Sequence, residues 1–285
     1  MKRFPIGIMV DSLKLPFAEG VKKAASLGAQ GIQVYTASGE MAPENLSSAK
    51  RSEMRRIIEG EGLVISALCG DLGGHGFELA EENPAKVEKS KRIIDLALEL
   101  GTKVVTTHIG VVPDQKDEIW ENMQKACFDM GEYARKAGAR FAIETGPEPA
   151  ELLKSFLDDL GCAGIGVNYD PANLVMVTHT DPVAGVYLLK DYIVHTHAKD
   201  GVNLAPCDRK KVYHAFAIGG IEGFEIGKLF NEVPLGQGEV CWPSYLAALE
   251  EIGYEGFLTI EREVGEDPAA DIGLAVTFLR EQMTK

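Results

Sequence analysis

The stretch FAIETGPEPAELLKSFLDDLGCAGIGVNYD, residues 141–170, contains one full unit of a pattern that repeats along the chain. It predicts a strand at Phe141–Glu144, an amphipathic helix at Ala150–Leu160 and a second strand at Gly166–Asp170. Both strands are short and mostly apolar, as expected of parallel strands that are covered on both faces. The stretch therefore indicates a strand-helix-strand unit of a parallel sheet.

The same alternation continues along the chain and gives eight such units. The predicted strands are Ile6–Val10, Gly31–Tyr35, Val64–Leu68, Lys103–His108, Phe141–Glu144, Gly166–Asp170, Ile193–His197 and Phe257–Glu261. The predicted helices include Pro16–Leu27, Ser47–Glu59, Pro84–Leu100, Asp117–Ala137, Ala150–Leu160 and Pro243–Ile252. Glycine follows several of them, and Pro84, Pro182 and Pro268 each follow an Asn or Asp, as at a helix start.

Eight strand-helix units are the number that closes a barrel. The first turn, MVDSLKLPF, lacks the GxGxxG motif of an open dinucleotide-binding sheet. We therefore expect an α/β protein of the (β/α)8 TIM barrel class, with residues 1–285 forming one domain. The main irregularity is the stretch Gly201–Glu239, a long loop after strand seven of the kind that forms lids or binding loops.

Composition and charge exclude several classes of protein. Lys and Arg total 29 against 43 Asp and Glu, so the formal net charge is −14, which repels nucleic acid. The sequence shows no apolar run of about 20 residues and no signal peptide at its start. The five cysteines are scattered and form no CxxC pair, which argues against a disulfide framework. We expect a cytoplasmic protein without a nucleic acid or membrane partner.

Polar side chains occur where the apolar strands end. These ends converge on the active site of a barrel of this class. They carry His108, Glu144, Asp170, His195, His197 and Glu261. Carboxylates crowded at one barrel mouth are costly unless a cation is bound between them. Glu144, Asp170 and Glu261, together with one imidazole, therefore predict a site for one divalent metal ion, with Mn²⁺ favoured and Mg²⁺ or Co²⁺ also suited to the oxygen-rich ligands.

The same strand ends resemble the xylose isomerase-like barrels known as sugar phosphate isomerases and epimerases. That family includes ketose 3-epimerases, inosose dehydratases and, more distantly, endonuclease IV. The similarity covers nearly the whole chain. The most specific motifs are IETG, NYDPAN, HTHAKD, VPLGQGEVCWPSYLAALEEIGYEGFLTIE and DPAADIGLAVTFLR.

The resemblance implies a metal held by Glu144, Asp170, His197 and Glu261, with Glu144 and Glu261 as the acid/base pair of a keto-sugar isomerase or epimerase. Such an enzyme removes a proton next to a carbonyl and returns it through an enediolate. Lys199 then either stabilises developing charge or binds a substrate oxyanion, or it is a solvated loop lysine. For His108 and His195 both a substrate contact and a purely structural hydrogen bond remain open. The resemblance also implies a homo-oligomer, either a dimer or a tetramer.

Two positions depart from the ketose 3-epimerase pattern. These enzymes commonly have a substrate-binding His three residues after the metal Asp and an Arg six residues after the metal His, where this chain has Asn173 and Asn203. We retain Asn173 as a substrate-binding candidate. The HAKD segment is similar to inosose dehydratase-like members, so a lyase acting on an inosose or on a 3-keto- or C-glycoside is the alternative function. A noncatalytic sugar-binding barrel is a further alternative, and endonuclease activity is disfavoured by the charge.

Overall fold

A closed barrel of eight parallel strands forms the centre of the computed structural model, which describes residues 3–284. The part of the chain that the structure describes has ten strands in all, namely β1 (Ile6–Met9), β2 (Gly31–Tyr35), β3 (Val64–Cys69), β4 (Val104–Thr107), β5 (Arg140–Glu144), β6 (Ile165–Tyr169), β7 (Ile193–Ala198), β8 (Asp200–Asn203), β9 (Phe230–Val233) and β10 (Leu258–Ile260). Around the barrel the order is β1-β10-β7-β6-β5-β4-β3-β2, and β8 pairs with β9 in a separate two-stranded sheet. The predicted TIM barrel is confirmed, and each of the eight predicted strands overlaps a barrel strand.

Helices surround the barrel. They are α1 (Phe17–Leu27), α2 (Ser48–Gly60), α3 (Asn83–Leu100), α4 (Glu118–Ala137), α5 (Ala150–Leu160), α6 (Pro171–Asn173), α7 (Pro182–Leu189), α8 (Arg209–Ile218), α9 (Trp242–Glu251) and α10 (Pro268–Gln282). The six helices predicted with bounds are all present, with ends displaced by at most one residue. None of the helices between residues 3 and 284 is long and apolar enough to cross a membrane.

The predicted helix caps are confirmed at two of the three proline sites. The side chains of Asp181 and Asp267 accept hydrogen bonds from the first turns of α7 and α10. Asn83 was predicted as a cap, and that prediction is wrong because α3 begins at Asn83 itself. Its side-chain amide instead donates to the carbonyl of Phe77 at 3.0 Å, which holds the preceding loop.

The turn between α5 and β6 is closely packed. Gly161 ends α5 with φ 55° in the left-handed region. Three residues later, a Cβ atom added to Gly164 would lie 1.8 Å from the carbonyl oxygen of Gly131 in α4. Only glycine permits that approach, which sets β6 against α4. In β6 every residue is buried, consistent with a strand covered on both faces.

The 201–239 segment is folded, in contrast to the expected long loop. It contains most of β8, all of α8 and β9, and a short 3-10 turn at Ile226–Lys228. A small apolar cluster separate from the main core holds it together through Val212 and Phe230, which pack with Ala172 and Met176. Met176 lies in the π-helical turn Leu174–Thr178 that follows β6. Val212 and Phe230 of this segment therefore contribute to a second, smaller core.

This segment spans the mouth of the barrel. It leaves the barrel after β7, which lies on the opposite side of the ring from β3. Its helix α8 contacts the loops after β3 and β4, where Arg209 donates to the carbonyl of Val112 at 3.1 Å. His214 Nδ1 lies 2.8 Å from His75 Nε2 in the loop after β3. The 201–239 segment therefore covers the end of the barrel at which the strands finish.

Candidate metal centre

Four neighbouring strands bring the predicted ligand residues together. Glu144 ends β5, Asp170 follows β6, His197 lies near the end of β7, and Glu261 follows β10. One ligand atom from each side chain lies within 4.8 Å of the others. The first three residues are buried, and the Glu261 side chain is 13% exposed. The strand ends thus form one compact group with three carboxylates and one imidazole.

The hydrogen bonds within this group leave ligand atoms unused. Asp170 Oδ1 accepts from the backbone amides of Ala172 and Asn173, and among the described residues Asp170 Oδ2 has no partner. His197 Nδ1 also lacks a hydrogen bond, and it lies 3.4 Å from Asp170 Oδ2 and 3.3 Å from Glu261 Oε2. Leaving buried polar atoms unpaired costs about 1–3 kcal/mol each. A divalent cation held by these atoms removes that cost, so the residues fit a metal ion.

The charged side chains at the centre shift each other's pKa values. Burial lowers the pKa of His197, but Glu261 and Glu144 outweigh burial and hold that pKa well above its ordinary value. Burial raises the pKa of Glu261, but His197 and Lys199 reverse this and hold it well below its usual range. The potential that favours a cationic imidazole also favours a divalent cation.

Gln33 orients the imidazole of His197 and was not predicted from the sequence. Its amide oxygen lies 2.9 Å from His197 Nε2, and its amide nitrogen donates to Thr106 Oγ1 at 2.8 Å. The amide nitrogen of Asn168 lies farther from Nε2, at 3.3 Å, and donates to Glu144. Because the nearer partner of Nε2 is an amide oxygen, which only accepts, Nε2 donates to Gln33, and Nδ1 is the atom left for a ligand. The one available signal was a lone polar residue in the otherwise apolar strand GIQVY.

Asn168 connects Glu144 to His195. Its amide nitrogen donates to Glu144 Oε2 at 2.8 Å, and its amide oxygen lies 2.7 Å from His195 Nδ1. The other nitrogen of His195 lies 3.0 Å from Thr259 Oγ1. Burial, followed by the charge of His197, lowers the pKa of His195 well below its ordinary value, which favours a neutral ring. His195 is therefore linked to the candidate ligand Glu144 through Asn168. Its role in substrate binding stays a prediction.

His108 and Asn173 both approach Glu144. His108 Nε2 lies 3.6 Å from Glu144 Oε1, and its Nδ1 lies 3.2 Å from Asp71 Oδ2. Burial lowers the pKa of His108, but Glu144 and Asp71 raise it to about 10. The side-chain amide of Asn173 donates to Glu144 Oε1 at 3.3 Å. Both predicted substrate-binding residues thus border the centre, together with Asp71, which was not predicted.

Lys199 lies in a buried network of charged residues. Its ammonium donates to Glu261 Oε2 at 2.9 Å and to Glu263, and it lies 3.8 Å from Glu232 Oε2. Glu232, in β9, also accepts from Arg262 at 2.7 Å. The side chain of Lys199 is only 4% exposed, so the reading of a solvated loop lysine is wrong. The 201–239 segment thus supplies a carboxylate that supports the lysine next to the metal centre.

The glycine-rich loop that precedes α9 encloses the carboxylate of Asp200. Its carboxylate accepts from the backbone amides of Gly236 and Val240 and from the Trp242 indole, at 2.9, 3.2 and 2.9 Å. A Cβ atom on Gly238 would lie 2.1 Å from Asp200 Oδ1, so the loop closes around this carboxylate. Asp200 therefore fixes the end of the 201–239 segment next to Lys199.

The family is established by the sequence. A model of the xylose isomerase-like TIM barrel family matches residues 21–282, and the chain belongs to that family. YfiH, an uncharacterised protein of Bacillus subtilis (strain 168), is 25% identical, with 98% of this chain and 99% of YfiH covered. Inosose dehydratase of Lacticaseibacillus casei is 25% identical over 161 residues, which cover 55% of this chain and 51% of the dehydratase.

Solved structures share the same architecture. A xylose isomerase domain protein from Planctomyces limnophilus has a TM-score of 0.80 at 26% identity and covers 99% of this chain and 97% of its own. A xylose isomerase-like protein from Mycobacterium smegmatis in complex with magnesium has a TM-score of 0.73 at 17% identity, covering 99% and 97%. The 3-keto-D-glucoside 4-epimerase YcjR of E. coli has a TM-score of 0.73 at 15% identity, covering 98% and 100%. At these lower identities the last two likenesses concern the fold alone.

Proposed function

We propose that this protein is a metal-dependent isomerase or epimerase of a keto sugar or sugar derivative. The observation that carries the proposal is the placement of two glutamates on either side of an aspartate-histidine pair. In the barrel order β5-β6-β7-β10, Glu144 and Glu261 come from the two outer strands, and Asp170 and His197 come from the two inner ones. Two carboxylates that flank one site suit the removal of a proton from one face of a carbon and its return on the other.

Glu144 and Glu261 exchange the proton in this proposal, each acting as the base in one direction. Asn168 and Asn173 orient Glu144 by donating to its two oxygens, and Lys199 orients Glu261. His108, next to Glu144, binds a substrate oxygen. The 201–239 segment excludes water from the site, which strengthens each of these interactions.

Glu144, Asp170, His197 and Glu261 hold one divalent ion in this proposal, and the oxygen-rich ligand set favours Mn²⁺, with Mg²⁺ or Co²⁺ as alternatives. When bound, the ion supplies electrophilic stabilisation of the negative charge that develops on the substrate oxygens. The magnesium complex of the M. smegmatis protein, which has the same fold, supports a hard cation.

A lyase reaction is the second candidate, because the alignment with inosose dehydratase extends over 161 residues. The same proton abstraction then ends in the loss of a β leaving group, and Asn173 and Asn203 depart from the ketose 3-epimerase pattern. A noncatalytic sugar-binding barrel is the third. From the sequence alone we also propose one domain over residues 1–285, a homo-oligomer, a small sugar or cyclitol as the partner, and a cytoplasmic location.

The test is incubation of the Mn²⁺-loaded protein in D₂O with ketoses, inososes and 3-keto glycosides, followed by product mass. We expect uptake of solvent deuterium next to the carbonyl with the carbon skeleton intact, and its loss in Glu144→Gln and Glu261→Gln. A product lighter by one water, or a released aglycone, selects the lyase. Absence of exchange on every substrate refutes the two-glutamate mechanism. Glu151→Gln, an exposed position on α5, is the matched control.

A further inference from the structure

The imidazole of His108 stands between two carboxylates at the barrel mouth. Its Nδ1 lies 3.2 Å from Asp71 Oδ2 in the loop after β3, and its Nε2 lies 3.6 Å from Glu144 Oε1 at the end of β5. The side chains of His108 and Asp71 are 29% and 28% exposed, so solvent reaches both. A separation of 3.6 Å is longer than an N–H···O hydrogen bond, so Nε2 is available to a ligand oxygen.

The hydrogen bond between Asp71 and His108 has a defined direction. Burial raises the pKa of Asp71, but His108 and the backbone amide of Gly73 outweigh burial and hold that pKa below its ordinary value. An ionised carboxylate only accepts hydrogen bonds, so Nδ1 of His108 donates to Asp71. Nε2 then faces Glu144 whether or not it carries a proton.

Asp71 is itself held in place by its own loop and by β2. Its Oδ1 accepts from the backbone amide of Gly73 at 2.9 Å. Its carbonyl oxygen accepts from the hydroxyl of Tyr35, the last residue of β2, at 3.0 Å. With Oδ1 committed to the loop, Oδ2 is the oxygen that remains for His108. A carboxylate fixed in this way holds a histidine ring in one orientation.

We propose that Asp71 is a positioning residue for the proposed reaction: its Oδ2 holds the His108 ring so that Nε2 binds a substrate oxygen next to Glu144. The inference rests on the proposed function and deepens it, because it names the group that aligns the substrate-binding histidine with the base. Without Oδ2 the ring is free to rotate about its Cβ–Cγ bond, and Nε2 turns away from the substrate. The effect of Asp71 on the reaction therefore requires His108.

A double-mutant cycle tests this requirement. The wild type, Asp71→Asn, His108→Gln and the double variant are loaded with Mn²⁺, and kcat and KM for deuterium exchange are measured on each substrate that the wild type accepts. Asparagine keeps one acceptor for the Gly73 amide and replaces the other oxygen by an NH₂ group, which cannot accept from Nδ1.

Two further variants make the cycle decisive. In Asp71→Ser the hydroxyl still accepts from the Gly73 amide, as in an ST turn, but is too short to reach His108. This variant repeats the test should the asparagine variant fold poorly. Asp129→Asn, the same substitution at an exposed position of α4, is the matched control. Thermal melting of every variant separates a lost contact from a loss of folded protein.

We expect Asp71→Asn to lower kcat/KM about 10- to 100-fold, as for loss of one hydrogen bond to a charged group. In the His108→Gln background the same change should cost less than about twofold, because the two residues act as one unit. Equal losses in the two backgrounds, or wild-type values in both Asp71 variants, refute the inference and leave the proposed function standing. If the wild type exchanges on no substrate, the proposed function fails and this inference fails with it.

Discussion

Gln33 Oε1 lies 2.9 Å from Nε2 of His197, and this contact turns the other imidazole nitrogen toward three carboxylates. The side chain reaches from β2 to β7, two strands that are not neighbours in the barrel. The ring orientation at the candidate metal centre is thus determined by a residue that is not itself a candidate ligand.

Replacing Gln33 should therefore weaken metal binding. Partners that orient a metal-ligating histidine are worth about 10- to 100-fold in metal affinity. We expect Gln33→Leu to raise the Kd for Mn²⁺ by that factor and Gln33→Glu, which keeps an acceptor for Nε2, to raise it less or not at all. Calorimetric titration of the metal-free protein measures both values. Equal affinities in the wild type and Gln33→Leu would contradict the assigned role.

Metal binding should stabilise the fold, and Asp170→Asn should remove that effect. At a metal concentration of 100 times Kd, binding contributes about 2.7 kcal/mol, or roughly 5–10 °C in Tm for a domain of this size. Asparagine still accepts hydrogen bonds as a helix cap and removes one of three converging negative charges. We therefore expect metal-free Asp170→Asn to melt at or above the wild-type Tm, with no rise on adding Mn²⁺. A similar rise in the variant would argue against Asp170 as a ligand.

Glu148 should make stability depend on pH. Its pKa in the fold is about 7 against an ordinary value of 4.5, so between these values the folded chain binds more protons than the unfolded chain. The free energy of unfolding should then fall as pH rises from about 4.5 to about 7, by roughly 3 kcal/mol for a shift of this size. The pKa of Glu148 is raised even though the positive charges of Arg209 and His108 lower it.

Urea unfolding of the wild type and Glu148→Gln at several pH values between 4.5 and 8 measures this effect. The glutamine variant should gain stability relative to the wild type as pH rises, since it has no proton to lose. Parallel curves for the two proteins would show that the carboxyl of Glu148 titrates normally.

Glu232 should matter far more than an exposed acid of the same segment. It is 6% exposed and contacts both Lys199 and Arg262. Removing one partner of a buried ion pair costs about 3–5 kcal/mol, so we expect Glu232→Ala to destabilise the fold by that order. The Glu225 side chain, paired with Lys228, is 65% exposed, and Glu225→Ala should cost less than about 1 kcal/mol. Chemical unfolding measures both, and similar losses would show that the Lys199 network is effectively solvated.

The barrel and the ligand residues were predictable because both depend on local patterns. Short runs of Val, Ile and Phe specify the strands, and a carboxylate or imidazole that ends such a run must lie at the barrel mouth. Gln33 and Asn168 were missed because they act across the barrel from within strands, through contacts that depend on strand register. The 201–239 segment was taken for a loop because its small core includes Ala172 and Met176 from outside the segment.

The four candidate ligands come from β5, β6, β7 and β10, which form one contiguous half of the ring. The loops after β1 to β4 supply no candidate ligand, so changes there leave the ligand set intact. Among relatives, we expect these four loops to differ most in length and sequence while the opposite half changes little. The barrel thus has one arc that holds all four candidate ligands and another arc on which a change of loop leaves those ligands in place.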